Sequence, residues 1–139
     1  MTSSIEMKRI GLVMFLLAAL WGASCSSDAI KPTIVKAAFI NKSSHDLDWV
    51  QLEWAGSHFS AGILSKDNFA MHMDLAWPYA ADGVLTFVDD KTRTPYRISL
   101  SFAETNAKIK AGKARAVVIR ILDYDQAEVV TLPDMDYPK

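Results

Sequence analysis

Phe69-Ala70-Met71-His72-Met73-Asp74-Leu75 alternates large apolar side chains with small or polar ones over seven residues without an error. Period two marks a strand with one face against a core, because successive side chains leave a pleated backbone on opposite sides. The alternation predicts Phe69, Met71, Met73 and Leu75 on one face and Ala70, His72 and Asp74 on the other. It stops at Ala76-Trp77-Pro78-Tyr79-Ala80-Ala81-Asp82-Gly83, where Pro78 has no N–H for a ladder and Asp82-Gly83 is a turn dipeptide.

The same habit continues on both sides of this stretch. Leu47 to Trp54 sets Val50, Leu52 and Trp54 against Trp49, Gln51 and Glu53, so one of Trp49 and Trp54 belongs to the core and the other to a mixed face. Phe59 to Leu64 puts Phe59, Ala61 and Ile63 on one side, with Gly56-Ser57 as the turn of a hairpin with the preceding strand. Thr33 to Ile40 is a β-branched and aromatic run that ends in the turn Asn41 to Asp46. Downstream, Val84 to Val88 is apolar on both faces, as a central strand is. Tyr96 to Phe102 alternates again, and the polar stretch from Asp89 to Pro95 joins the two. Ala114 to Leu122 and Ala127 to Leu132 complete about eight strands around the turn Asp123 to Gln126. Only Ala103 to Gly112 hints at helix, with Ile109 alone to bury, and a loop or a single helical turn fits it as well.

Eight short strands with turn signals every eight to twelve residues predict an all-β fold: an antiparallel, two-layer β-sandwich of immunoglobulin-like size over residues 33–132, followed by an acidic tail over 133–139. The chain lacks the Cys pair of a true immunoglobulin domain, since Cys25 is its single cysteine. Counted from Cys25, the chain is the size of one domain.

The N-terminus carries a different message. Lys8 and Arg9 precede the uncharged apolar block Ile10 to Leu20, which runs into Gly22-Ala23-Ser24-Cys25. A basic pair, an apolar run and small residues make the three-part pattern of a signal peptide, here residues 1–24. A bilayer span takes roughly 20 apolar residues, and this run stays short of that before Cys25, Ser26, Ser27 and Asp28 end it. Met7-Lys8-Arg9 looks more like a natural start than Met1-Thr2-Ser3-Ser4, so either Met1 or Met7 is open as the first residue. Small residues followed by Cys at the end of an apolar block resemble the lipobox of bacterial lipoproteins, although Gly22 stands where that family usually carries Leu. The resemblance covers only the first 25 residues or so. It implies lipidation of Cys25, which would become the first residue of the mature chain, and Ser26 after it implies sorting to the outer membrane, facing the periplasm. Residues 25–32 are then the lipidated Cys and a polar tether ending at Pro32. The other reading is a soluble secreted or periplasmic protein cut near Ala23, with Cys25 as a free thiol.

Charge narrows the partners. Setting aside Lys8, Arg9 and Glu6, the 15 basic and 16 acidic residues fall to 13 and 15. A net charge near minus two gives no footprint for nucleic acid or for an anionic membrane surface. Membrane attachment is expected through the lipid on Cys25.

Residues that carry chemistry are sparse. The elbow pattern Gly-x-Ser-x-Gly is absent, and Ser57 and His58 are strand neighbours that point to opposite faces. His45, His58 and His72 lie too far apart to suggest a zinc site, and no cofactor is expected. Asp46 with Asp48, Asp89 with Asp90, and Asp123 with Asp125 sit in turns, where Asp bonds its own backbone. Large rings on a mixed face or in a loop are the sharper signal. Trp49, Trp77 and Tyr79, with His72 beside them, are candidate partner-binding residues. The expected function is a lipid-anchored, non-catalytic periplasmic module that captures a protein partner, as immunity or envelope accessory lipoproteins do. The alternative is a small envelope hydrolase or carbohydrate-binding domain using loop carboxylates near Trp77.

Overall fold

The structure, a computed structural model, describes residues 33–135. The expected signal peptide, Cys25 and the expected tether up to Pro32 lie outside these residues, as does the end of the acidic tail. The described residues lie within one compact unit.

Its strands are β1 (Ile34–Asn41), β2 (Leu47–Trp54), β3 (Ser57–Leu64), β4 (Phe69–Ala76), β5 (Asp82–Asp89), β6 (Pro95–Ser101), β7 (Ala116–Asp123) and β8 (Gln126–Leu132). One helix, α1 (Ala103–Lys110), links β6 to β7. Two four-stranded sheets form, in the orders β4-β1-β7-β8 and β3-β2-β5-β6. The protein is thus an all-β sandwich, and the alternating strands of both sheets supply a shared core that includes Phe39, Leu52, Phe87, Phe102 and Ile119. One pairing departs from the antiparallel expectation. β1 and β7 run parallel, Lys36 facing Ala116 through Asn41 facing Ile121. Hairpin signals in sequence report only on neighbours along the chain, and these two strands are brought together by the fold as a whole.

The hairpin between β2 and β3 turns on Ala55 and Gly56, with Trp54 facing Ser57. Both turn residues have positive φ, 48° and 76°, the backbone that matches strand twist in two-residue loops. Asp82-Gly83, in contrast, is no turn but the start of β5. Gly83 is buried, and a Cβ there would meet Phe102 Cε2 at 2.6 Å, so glycine lets a core ring lie directly on the backbone. The helix hint resolves as a true helix, although only Ile109 is apolar among its buried residues. The others, Thr105 and Asn106, are polar, which hides its inward face from a hydrophobicity count.

Irregular pairing in three strands resets which side chains face the core. In β4, His72 pairs with Ala37 and Leu75 with Val35, so Met73 and Asp74 together oppose the single residue Lys36. This bulge reverses the phase of the strand. Phe69 and Met71 pair with Ile40 and Ala38 and share their outward face, whereas Ala70 and Leu75 pack against the core. The error-free alternation of Phe69, Met71, Met73 and Leu75 therefore does not describe one face, because a period-two count assumes an unbroken ladder. In β3, Gln51 pairs with Ser60 and Val50 with Gly62, leaving Ala61 as the extra residue. Phe59 and Leu64 point inward and are buried, but Ile63 is left 68% exposed. In β2, Leu47 and Val50 are both buried and the residues between them, Asp48 and Trp49, form a third irregularity.

Candidate binding surface around Trp49

Of the two tryptophans of β2, Trp54 joins the core and Trp49 stands out of it, 68% exposed. The bulge accounts for the difference. Trp49 has φ of 53°, a left-handed backbone that costs a non-glycine residue about 1–2 kcal/mol. Asp48 fixes the conformation. Its Oδ1 accepts the Trp49 N–H at 2.8 Å and its Oδ2 accepts a bond from Arg93 Nη1 at 3.0 Å. Arg93, itself at φ 61°, lies in the loop between β5 and β6, so that loop is tied to the irregular start of β2 beside Trp49.

The register places Ile63 opposite the Asp48–Trp49 pair, because Leu64 faces Leu47 and Gly62 faces Val50. The two large apolar residues most exposed in the described chain thus occupy one position of the outer face of the β3-β2-β5-β6 sheet. Beside Trp49 lies a shallow hollow of about 480 Å³ whose rim includes Gln51, Glu53, Thr86, Pro95 and Arg97. Gln51 Nε2 donates to Glu53 Oε1 at 3.0 Å. The arrangement is an apolar centre bordered by polar side chains, the anatomy of a contact patch. Ile63 was hidden in the sequence, because the simple alternation assigned it to the same side as Phe59.

The remaining candidate residues are not gathered here. Trp77 is a correction. It is only 5% exposed, and its ring packs among core aromatics, 5.4 Å from Phe102 and 6.1 Å from Trp54. Its indole N–H donates to Asn106 Oδ1 at 2.7 Å, and Asn106 Nδ2 in turn donates to the Ala80 carbonyl at 2.9 Å. The helix supplies the polar partner that lets a Trp be buried whole. Tyr79 is half-buried, its hydroxyl 2.6 Å from Thr33 Oγ1 and its ring 5.1 Å from Lys110 Nζ. These contacts clamp the segment after β4 to the start of β1 and to the end of α1. His72 sits at the rim, its ring edge-on to Phe59 at 4.3 Å and its Nε2 3.2 Å from the Ser60 carbonyl. It joins the margins of the two sheets and lies apart from Trp49.

A second cluster escaped sequence reasoning. His45, Tyr124 and Tyr96 stack in series at 4.3 Å and 4.1 Å. Tyr124 donates its hydroxyl proton to Asp89 Oδ2 at 2.5 Å, while Asp89 Oδ1 accepts the N–H groups of Lys91 and Thr92. The Tyr124 bond, followed by the Thr92 amide, holds the Asp89 carboxyl down to about 2, and the same bond pushes Tyr124 up to about 12. A carboxylate that stays ionised and a phenol that keeps its proton are suited to fastening the β5–β6 and β7–β8 connections, not to exchanging protons near neutrality. Asp89 was legible as a turn residue; Tyr124, 35 residues away, was not. Among the described residues no group of three His, Cys, Asp or Glu side chains is placed to hold a metal ion.

No family model matches the chain, and no curated protein matches it. Among solved structures, it is similar to an NMR structure of a protein from Eubacterium rectale, with a TM-score of 0.44 and 12% identity over 81% of this chain and 100% of that one.

Proposed function

We propose that this protein is a non-catalytic binding module, held in a bacterial envelope by lipid on Cys25 and facing the periplasm, that captures a protein partner through the surface centred on Trp49. The observation that carries the reading is the Trp49 side chain, 68% exposed on a left-handed backbone held by Asp48 and Arg93. A strained residue that presents a large ring to solvent is unfavourable for stability alone, and strain of this kind gathers at functional positions. Aromatic anchors bordered by polar groups dominate protein recognition, and Ile63 extends the apolar centre across to the next strand.

The alternative reading, a hydrolase or carbohydrate-binding domain built near Trp77, loses its platform because that ring is buried. A sugar ligand keeps one favourable observation, the polar rim of Gln51, Glu53 and Arg97 beside an exposed indole. Retention assays on envelope extract separate the two. The wild-type domain is expected to retain a protein that Trp49→Ala and Ile63→Ser each release, at unchanged thermal midpoint. Retention that survives both changes, or that glycan fragments compete away, would refute capture of a protein by this patch.

A further inference from the structure

We infer that the open edge of β8, together with the crevice beside it, receives an extended peptide segment of another protein as an added strand of the β4-β1-β7-β8 sheet. Two sheets leave four edge strands, β3, β4, β6 and β8, and an unpaired edge is a template for another chain unless something blunts it. Three of the four are blunted. β3 and β4 carry the bulges at Ala61 and at Met73 and Asp74, and β6 opens on Pro95, followed by the exposed Arg97. β8 has none of these devices. Its seven residues include no Pro, Gly or Lys, and residues 127–132 pair with β7 one to one. Its single charge, Glu128, is taken up by Arg120 of β7 at 2.7 Å. Val129, Val130 and Thr131 are β-branched, which favours pairing, and among the described residues no second strand pairs with this one.

The crevice selects the occupant. Between β8, β6 and α1 runs a cleft of about 450 Å³ whose walls include Leu100, Ser101, Thr105, Lys108, Val129 and Thr131. Thr105 is only 4% exposed, yet its hydroxyl bonds to no described residue. Among the described residues the one side-chain atom sealed away without a partner is Trp54 Nε1, so the Thr105 hydroxyl opens into the cleft. Hydroxyls buried to this degree are almost always bonded, and this one is placed to meet a group brought from outside. A strand laid along β8 sends alternate side chains into the cleft, because Ala127 and Val129 already face that way against the core. In such complexes the backbone bonds give affinity and the pockets for alternate side chains give specificity. The charges on the walls cancel, Lys108 Nζ lying 2.8 Å from Glu104 Oε1, so the fitting side chains are small, polar and uncharged, serine and threonine foremost. This chain's own tail is directed elsewhere, since Asp134 is bound to Lys36 of β1 at 2.9 Å, across β7 from the cleft. A second sandwich fits poorly too. Residues 127–132 are half-buried beside β6 and α1, a recess that a lone strand enters more readily than an edge two sheets and about 10 Å thick.

The probe is a displayed library of random heptapeptides selected on the purified protein. Recovered peptides are expected to carry serine or threonine at alternate positions. At about ten times its Kd, a selected peptide is expected to slow the exchange of those β8 amide protons not bonded to β7 about tenfold. Thr105→Val, which keeps the volume and loses the hydroxyl, is expected to weaken binding about fivefold. Thr131→Lys, which sets a charge in the cleft, is expected to weaken it at least about tenfold, and Trp49→Ala to leave it unchanged. The exchange footprint is read on wild type, so it decides the matter even where Thr131→Lys does not fold. Recovery of no peptide, recovery of predominantly charged ones, or protection that falls on another edge or on the Trp49 face overturns the proposal. So does undiminished binding by Thr105→Val or by a folded Thr131→Lys. A dimer in light scattering that protects the same amides without peptide overturns it as well, because the occupant is then a second copy. The cleft shares no residue with the hollow beside Trp49, so the two readings fail separately.

Discussion

Replacing Trp77 and Trp54 in turn by Phe measures what a buried indole N–H contributes in this core. Both residues are 5% exposed, and their rings lie 6.1 Å apart. They differ in one atom's partner. Trp77 Nε1 donates to Asn106 Oδ1, whereas the buried Trp54 Nε1 has no partner among the described residues. Trimming either ring to phenyl leaves a small void costing about 1–2 kcal/mol. In Trp77→Phe the buried Asn106 oxygen also loses its donor, for a further 1–3 kcal/mol or so, giving a total near 2–5 kcal/mol. In Trp54→Phe an orphaned donor is removed, and the relief of about 1–3 kcal/mol offsets the void. That variant is expected within about 1 kcal/mol of wild type. Urea unfolding followed by far-UV circular dichroism, compared at a common slope, reads the difference directly. For a domain of this size, about 2 kcal/mol between the variants separates their thermal midpoints by roughly 8–16 °C. Equal losses, within about 0.5 kcal/mol, would refute the assignment of the Trp77–Asn106 bond as the stabilising difference.

Three further outcomes follow from the same structure. The folded Asp89 carboxyl titrates near 2 against an ordinary 3.8, so its stabilisation is complete above about pH 4 and is lost as pH falls through 2. Tyr124 titrates near 12 against 10.0, so its share is present below about pH 10 and is lost as pH rises through 12. Thermal midpoints of Tyr124→Phe should therefore fall less steeply than wild type in both windows, and parallel curves would remove the bond from the account. Trp49→Gly gives up an exposed ring and relieves a left-handed residue at some cost in unfolded-chain entropy. Its stability is expected to be unchanged or raised by up to about 1 kcal/mol, and a loss larger than that by calorimetry would show the ring to be packed. Gly83→Ala sets a methyl 2.6 Å from Phe102 Cε2 and 3.3 Å from the Glu53 carbonyl. A destabilisation of about 1–3 kcal/mol in urea is expected, and a neutral variant would mean that Phe102 has room to move.

Much of the strand layout was legible because it is written in local chemistry. Leu47 to Trp54 was delimited by its own alternation, and the turn residues around it set the first hairpin to within one position. What escaped was everything decided at a distance. The bulge at Met73 and Asp74 has no Gly or Pro to announce it, and it arises because β1 offers one residue against two. Ile63 was misplaced for a related reason, although Gly62 at φ 66° gave a local sign of irregularity. Trp77 read as a surface ring because Pro78 and Tyr79 follow it, yet Asn106, 29 residues on, makes burial affordable. The Trp49 surface was partly visible, since period two put Trp49 beside Gln51 and Glu53. The left-handed backbone that lifts the ring, and the Asp48–Arg93 contact that secures it, come from the meeting of the bulged start of β2 with the β5–β6 loop.

The position of β1 bears on how the domain withstands force. β1 is flanked on both sides, by β4 and, in parallel, by β7, and the chain leading to Cys25 enters at its first residue. A pull transmitted along that chain acts down the length of an interior strand. It must shear two hydrogen-bonded ladders together, since no edge is free for it to peel one bond at a time. A load applied to the N-terminal chain is therefore shared by the β1–β4 and β1–β7 ladders from the first residue of the strand.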